Sequence, residues 1–304
     1  MRRSDAILGA GTHLDSAADV NAPLEQSATG PRSVGWDASL SLKFARRRGR
    51  TQIVERKHVG PLVVQRPFFP EGEICHTLLL HPPGGMVGHD KLSVNIDVGA
   101  DGHALITTPG ANKLYRSDRK SVTQMQALTV AADACLEWLP QALIVFDGAF
   151  AELRTTIRLG ARSRFIGWEQ FCLGRPAIGE RFGRGRLHQV LSIKTADPNS
   201  HVSECWTVDG GSDALDAQWG LGGCPALASM YAYPASPEAL EIAQQATIDG
   251  AGSMLGATRL GELLIVRLRA DDAERAQQTL EKLWERLRPV VANTPARRPR
   301  IWAT

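Results

Sequence analysis

Hydrophobic and polar residues alternate along several stretches of the chain, and the first such stretch begins at Trp36. From Trp36 to Phe44 every second residue is apolar, and Asp, Ser and Lys fill the positions between them. A period of two places the apolar set on one face of a β-strand. The arginine-rich run 46–50 then predicts a hairpin tip, with a phosphate site as the alternative, and Thr51 to Arg56 predicts the returning strand.

The same alternation recurs in the middle of the chain, most clearly from Ala151 to Leu159. Helical periodicity is almost absent before residue 230, which favours an all-β body over alternating β and α units. Further strand-like runs, mostly separated by turns that contain Gly, Pro or Asp, cover 62–66, 74–80, 92–98, 104–108, 121–130, 143–146, 164–171, 187–195 and 202–208.

The last quarter of the chain has a different pattern. Ser236 is followed by proline and glutamate, which predicts the N-terminus of a helix. A strand follows at 262–269, and Asp271 or Asp272 then caps a second helix that Pro289 is expected to end. The second helix carries an apolar stripe typical of a core face, formed by Ala273, Ala276, Leu280, Leu283, Trp284 and Leu287.

These patterns predict a flexible N-terminal tail at residues 1–33 and a single domain from 34 to 304. Within the domain we expect a β body at about 34–230, a helix-containing α/β part at about 231–290, and a C-terminal tail at 291–304. Taken alone, the basic sequence of that last tail is typical of a disordered end.

Composition and charge limit the classes of partner and the cellular compartment that we expect. The net charge of +3 over 304 residues is too small to indicate a nucleic acid partner. No apolar run reaches the roughly 18 residues of a membrane helix, and no secretory signal follows Met1. Five scattered cysteines without a CxxC pair indicate a reducing cytoplasm and not a disulfide framework.

Enzyme and metal motifs are absent from the sequence. We find no helix-opening GxGxxG, no GxxxxGK[ST], no HExxH and no GxSxG. Cys75, His76, His81 and His89 form the densest Cys/His region, but their spacing matches no compact metal site. A small-molecule hydrolase with a serine nucleophile, or with a cysteine such as Cys75 or Cys172, is the alternative function, and the cysteine would need a depressed thiol pKa.

Two segments combine glycine, proline and charged residues more densely than a plain β scaffold needs. The first, 81–92, has two prolines and three glycines before Asp90, which either caps its own loop or faces a partner. The second, 107–117, brings Lys113, Tyr115 and Arg116 together as an anion contact or as surface salt bridges.

A third segment, 136–149, carries two carboxylates. Glu137 precedes an aromatic residue and a proline at an apparent element boundary, and Asp147 follows ten residues later, across a strand-like run. The two carboxylates could guide a divalent cation, or they could cap the neighbouring elements.

The three segments together resemble the urease accessory protein D family (UreD, also called UreH), whose members carry PPGGxxGGD, TT…KxYR and EWLPQE in this order. The resemblance continues through 174–183 and 285–289 to the terminal 299–304, and it covers roughly residues 34 to 304. This chain departs from the family pattern at Pro109-Gly110-Ala111, at His89 in place of a glycine, and at Ala142 in place of a glutamate.

The resemblance implies an irregular, β-helix-like body and a protein without catalytic activity of its own. It implies a scaffold that binds apo-urease and UreF, which recruits the GTPase UreG, and a polar internal route for Ni²⁺ with no tightly bound cofactor. On this interpretation the carboxylates along the route are Asp90, Glu137, Asp147, Glu169 and Glu180. The expected partner contacts are Lys113, Tyr115, Arg116, Ile301 and Trp302.

Overall fold

Strands are the main regular structure of the chain between residues 35 and 303, the part that the computed structural model describes. The predicted tail at 1–33 lies outside this part. In chain order the strands are β1 Asp37–Arg47, β2 Arg50–Val59, β3 Val63–Val64, β4 Cys75–Leu80, β5 Lys91–Val98, β6 His103–Thr107, β7 Asn112–Leu114, β8 Val122–Val130, β9 Cys135–Leu139, β10 Leu143–Val145, β11 Ala149–Leu159, β12 Arg164–Leu173, β13 Gly185–Lys194, β14 Val202–Asp209, β15 Ala226–Tyr233, β16 Met254–Leu260 and β17 Leu263–Ala270. The expectation of a mainly β fold is confirmed.

The strands form two sheets that the chain visits in turn. The first sheet has the order β14-β13-β11-β8-β5-β1-β2, and the main path of the second is β16-β17-β15-β12-β9-β6-β4-β3. Strands β4, β6, β9 and β12 lie parallel to one another in the second sheet, and each leads to a parallel strand of the first sheet, namely β5, β8, β11 and β13. This winding gives the body a β-solenoid-like architecture.

Alternation along the strands fills the space between the sheets with apolar side chains. Leu40, Leu42 and Phe44 of β1 are fully buried, and the predicted inward set of β11 is buried as well. Trp36 does not continue the buried set, because β1 begins at Asp37 and the tryptophan side chain is 56% exposed.

The two predicted helices are present, and they cover the outer face of the second sheet. They are α1 Pro237–Gln244 and α2 Ala273–Val291, capped by the side chains of Ser236 and Asp272. The apolar stripe of α2 packs on the sheet in a second hydrophobic core, which confirms its assignment as a core face. Within residues 35–303, no helix has the length and apolar character needed to cross a membrane.

Several details differ from the sequence prediction, among them strand β16, which was not predicted. Helix α2 continues past Pro289 to Val291, because a proline in the last turn removes only one helical hydrogen bond. Strand β15 was missed because it is buried on both faces, so its sequence is almost continuously apolar and shows no alternation. Glu137 does not mark a boundary, since it lies in the middle of β9.

Candidate functional site

Polar side chains interrupt the apolar core between the two sheets. They line a cavity of about 60 Å³ together with Leu153 and Phe171, a volume with room for a few water molecules. The cavity is bordered by polar residues from both sheets and from their connections, namely Asn112, Gln124, Gln126, Gln141, Thr155, Glu169 and Gln189.

Glu169 is the carboxylate of this cavity, and it comes from the middle of β12. Its Oε1 accepts a hydrogen bond from the Thr155 hydroxyl at 2.5 Å, and the Gln189 amide Nε2 donates to both carboxylate oxygens at 2.9 and 2.8 Å. The donors belong to β11 and β13, so the carboxylate of the second sheet is held by two strands of the first. Each of these donors is a neutral group.

Burial raises the pKa of Glu169 to about 7, because a charged carboxylate is costly to remove from water. The hydrogen bonds from Thr155 and Gln189 oppose this rise, and the negative charge of Glu204 adds to it. Glu204 is itself paired with Arg267 and accepts a hydrogen bond from the Tyr231 hydroxyl. Glu169 therefore titrates near neutral pH.

One amide oxygen at the cavity, Oε1 of Gln189, has no hydrogen-bond partner, and this residue is only 1% exposed. An unpartnered buried acceptor is costly unless water or a cation satisfies it. The cavity thus offers a carboxylate and neutral amide oxygens, which are ligands suited to a partly hydrated divalent cation.

Glu137 lies elsewhere, behind the second sheet and under α2. It is fully buried and bonded to Arg288, to the Trp284 indole N–H at 2.7 Å and to His103 Nε2 at 2.7 Å. Burial alone would raise the pKa of Glu137, but His103 and Arg288 together lower it to about 2. Arg288 also pairs with Glu71, so these groups form a buried ionic network that joins α2 to the sheet.

Asp147 and Glu180 lie together at the surface. The Asp147 N–H donates to Glu180 Oε1 at 3.2 Å, while the Asp147 carboxylate binds the Arg184 side chain and the backbone N–H groups of Gly183 and Arg184. Glu180 pairs with Arg175, which lowers the pKa of the carboxyl group. Both carboxylates are thus neutralised by arginines of this chain.

Asp90 closes the proline- and glycine-rich loop from inside. It is 1% exposed, and its two oxygens accept hydrogen bonds from the N–H groups of Trp36 at 2.7 Å and Val87 at 2.8 Å. The side chain therefore holds its own loop against the segment that precedes β1. This corresponds to the capping alternative for Asp90.

Of the expected partner contacts, Arg116 and Tyr115 lie beside the Asp147 cluster. Exposed Arg116 lies 3.9 Å from the Asp147 carboxylate, and the Tyr115 ring packs edge-on against Phe146 at 5.1 Å. Lys113 belongs to the short strand β7, and its carbonyl accepts the N–H of Met86. The residues are partly or fully exposed, so their side chains remain available to a partner.

The C-terminal tail packs against the chain itself. Trp302 contacts the rings of Trp168 and Trp284 at 5.7 and 5.2 Å, and its indole N–H donates to the Thr107 hydroxyl. Trp302 and Ile301 are both half-buried. The tail is therefore an ordered part of the fold at these residues, unlike the disordered end that its sequence suggested.

The five candidate carboxylates thus occupy four separate places, and only Asp147 and Glu180 touch. No three His, Cys, Asp or Glu side chains within residues 35–303 converge on a point suited to a metal ion. Sequence reasoning missed the partners of Glu169, although a signal was present: Gln124, Gln126 and Gln189 occupy the inward phase of their strands, where an apolar residue is expected.

The thiols do not meet the requirement of the hydrolase alternative. Burial raises the pKa of the Cys75 thiol, and burial together with the charge of Asp272 raises that of Cys172 to about 11. A nucleophilic cysteine needs the opposite change, because the thiolate is the reactive form.

Comparison with known proteins places the chain among its relatives. A profile described as UreD urease accessory protein matches residues 37–303. A protein from Pseudomonas putida named urease accessory protein UreD is 45% identical over 271 residues, which cover 89% of this chain and 95% of the relative. A protein of the same name from Klebsiella pneumoniae is 40% identical over 275 residues, covering 90% and 97%. The chain belongs to the UreD family of urease accessory proteins.

Proposed function

We propose that the chain is a non-catalytic scaffold of urease maturation that bridges apo-urease and the UreF–UreG complex in the cytoplasm and passes Ni²⁺ through the cavity around Glu169. Membership of the UreD family supports the role in urease maturation. The observation that supports the nickel route is the cavity between the sheets, where a carboxylate without a cationic partner lies beside the Gln189 amide, whose oxygen has no hydrogen-bond partner.

A transfer route needs weak binding. Histidine and cysteine ligands would hold Ni²⁺ tightly, whereas a carboxylate, amide oxygens and water attract the dication and release it again. The polar side-chain atoms that line the cavity are oxygens, apart from the nitrogens of the Asn and Gln amides, of Arg154 and of Trp138. Such a site suits cargo in transit.

Of the five candidate carboxylates, Glu169 has the surroundings best suited to a Ni²⁺ ligand. Glu137, Asp147 and Glu180 are each paired with an arginine, and both oxygens of Asp90 are bonded to backbone N–H groups. A carboxylate already neutralised by a guanidinium offers little attraction to a further cation. In the described part of the chain, Glu169 combines a cavity, a carboxyl group without a cationic partner and neutral hydrogen-bond donors.

The test is co-expression of urease with its accessory proteins at limiting nickel, with the Glu169→Gln variant in place of the natural chain. Glutamine keeps the size of the side chain and removes the charge, so we expect urease with a several-fold lower nickel content and activity. Nickel per urease is measured by plasma mass spectrometry. Glu152→Gln is the matched control, because Glu152 lies on β11 and is exposed on the outer face of the first sheet.

The outcome separates the parts of the proposal. Full nickel loading with Glu169→Gln, in a variant that still copurifies with UreF, would exclude the cavity as the route. Loading that does not depend on the chain at all, seen in a strain from which its gene is deleted, would refute the role in maturation. Failure of the purified chain to bind either UreF or apo-urease would refute the bridging role.

A further inference from the structure

A row of polar side chains leads from the cavity at Glu169 towards one edge of the second sheet. In the register of β12, β15 and β17, Glu169 lies opposite Ser229, and Ser229 lies opposite Arg267. Registered neighbours on adjacent strands project to the same face of a sheet, so all three side chains are turned towards the first sheet. Ser229 is partly exposed although β15 is an inner strand, and Arg267 is exposed while its neighbours in β17 are buried. Water therefore reaches this row from the edge.

An ion pair between the two sheets closes the outer end of the row. Arg267 bonds to Glu204 of β14, the strand that ends the first sheet, and the Tyr231 hydroxyl donates to Glu204 Oε2 at 3.2 Å. The Arg267 side chain is 54% exposed and the Glu204 side chain 17%, so the pair lies at the boundary between solvent and interior. An ion pair that is half in water is weak, because water screens it and side-chain entropy opposes it. It can therefore open by rotation of the arginine side chain.

The ion pair is close enough to the cavity to act on the charge within it. The charge of Glu204 adds to the rise in the pKa of Glu169, and the charges of both carboxylates add to the burial that raises the pKa of Tyr231. Trp206, two residues beyond Glu204 on β14, packs edge-on at 5.4 Å against Phe171, which lines the cavity. The inward side chains of β14 thus lie between the cavity and the solvent at this edge.

We propose that the ion pair of Arg267 and Glu204 is a gate through which Ni²⁺ passes between the solvent and Glu169 at the edge formed by β14 and β17. When the pair is closed, the guanidinium fills the opening and neutralises the carboxylate. When the arginine rotates away, the Glu204 carboxylate and the Ser229 hydroxyl offer oxygen atoms to the hydrated dication on its way. This inference rests on the proposed function, because it takes Ni²⁺ as the cargo of the cavity, and it adds the opening of the route and the pair that controls it.

Neutralising each half of the pair in turn tests the gate, because the two changes alter the charge at the opening in opposite directions. Arg267→Met removes the cation and leaves the Glu204 carboxylate free, so Ni²⁺ should enter faster. Glu204→Gln leaves the guanidinium unpaired and keeps an acceptor for Tyr231, so Ni²⁺ should enter more slowly. A purely structural role would change both entry rates in the same direction. The matched controls are Arg186→Met and Asp209→Asn, the two halves of an exposed ion pair within the first sheet.

Entry is followed by stopped-flow mixing of the full chain with Ni²⁺ alone, which quenches the fluorescence of nearby tryptophans. Trp138 lines the cavity, and the phase that reports on it is the one absent from the Trp138→Phe variant. Release is followed by mixing the loaded chain with EDTA. At low salt we expect entry to be about tenfold faster in Arg267→Met and about tenfold slower in Glu204→Gln, with both differences shrinking as salt is added. The control variants should differ from the natural chain by less than about twofold.

The rate of release separates a gate from an effect of charge alone. Opening a gate speeds release as well as entry in Arg267→Met, whereas a charge effect speeds entry and slows release, and that second result would overturn the gate. This variant decides the question by itself if Glu204→Gln does not fold. Unchanged rates in both variants, in a chain whose Trp138 quenching depends on Glu169, would overturn the gate and leave the proposed route intact. If Ni²⁺ never quenches Trp138 in any variant, the route itself is refuted and the gate falls with it.

Discussion

Replacing Glu169 with glutamine is expected to stabilise the folded chain at pH 8 and to have little effect at pH 5. In the folded state burial raises the pKa of this carboxyl group from 4.5 to about 7. Between these values the folded chain holds a proton that the unfolded chain releases, so the free energy of unfolding falls as the pH rises through this window. The free energy of unfolding of the uncharged Glu169→Gln variant does not fall in this way.

The magnitude follows from the pKa and the hydrogen bonds. At about 1.4 kcal/mol per pH unit, the difference between 4.5 and about 7 corresponds to about 3 kcal/mol above pH 7. Glutamine keeps one acceptor oxygen for Thr155 and Gln189 but places an NH₂ group against the Gln189 amide, which costs about 1 kcal/mol. We therefore expect a net gain of about 2 kcal/mol at pH 8.

Urea unfolding of the purified chain at pH 5, 6, 7 and 8 measures this effect. The exposed control Glu152→Gln should change the free energy of unfolding by less than about 0.5 kcal/mol at every pH. The reasoning would be refuted if Glu169→Gln changed the stability by the same amount at pH 5 and at pH 8, because the carboxylate would then ionise as readily in the folded as in the unfolded chain.

Three further predictions concern the network under α2 and the C-terminal tail. Arg288→Met removes the guanidinium that buried Glu137 and Glu71 share and should destabilise the chain by about 3–5 kcal/mol in urea, against less than about 1 kcal/mol for Arg162→Met in an exposed ion pair. Because the pKa of Glu137 is lowered to about 2, its contribution is complete above pH 4.5 and is lost as the pH falls towards 2; acid titration of Glu137→Gln should lack this loss. Trp302→Ala removes two ring contacts and should lower stability by about 2 kcal/mol, with earlier proteolysis of the tail.

The first sheet could be predicted because one of its faces meets water. In β1 and β11 exposed residues alternate with buried ones, so the polarity of each residue indicates the face of the sheet on which its side chain lies. The two helix starts were predictable for a similar reason, since the caps Ser236 and Asp272 act on backbone groups within three residues.

The second sheet was harder to predict because both its faces are covered. Strand β15 packs on the first sheet with one face and on the helices with the other, so burial removes the alternation that would reveal it. The docking of Trp302 depends on Trp168 and Trp284, which are distant in sequence. The spacing of residues along the sequence does not indicate contacts of this kind.

The sequence predicted only part of the candidate site, and the reason is physical. A carboxylate next to glycine and proline can bind a cation or its own backbone, and the sequence is the same in both cases. Asp90 and Asp147 bind backbone N–H groups. Glu169 was named among the candidates, but its setting depends on Gln189, whose polar side chain at an inward position of β13 was the available signal.

If Ni²⁺ passes through the cavity as proposed, the chemistry around Glu169 explains why the chain keeps a destabilising group in its core. An arginine beside the carboxylate would neutralise it, as Arg288 does for Glu137, and the cation would lose its attraction. A leucine would close the cavity, and a histidine or cysteine would hold nickel too firmly to release it. A carboxylate held by a hydroxyl and an amide is not neutralised, leaves the cavity open and binds nickel only weakly. The same buried carboxylate lowers the stability of the folded state. On this argument the substitution that makes the chain more stable at pH 8 is also the one that impairs nickel delivery.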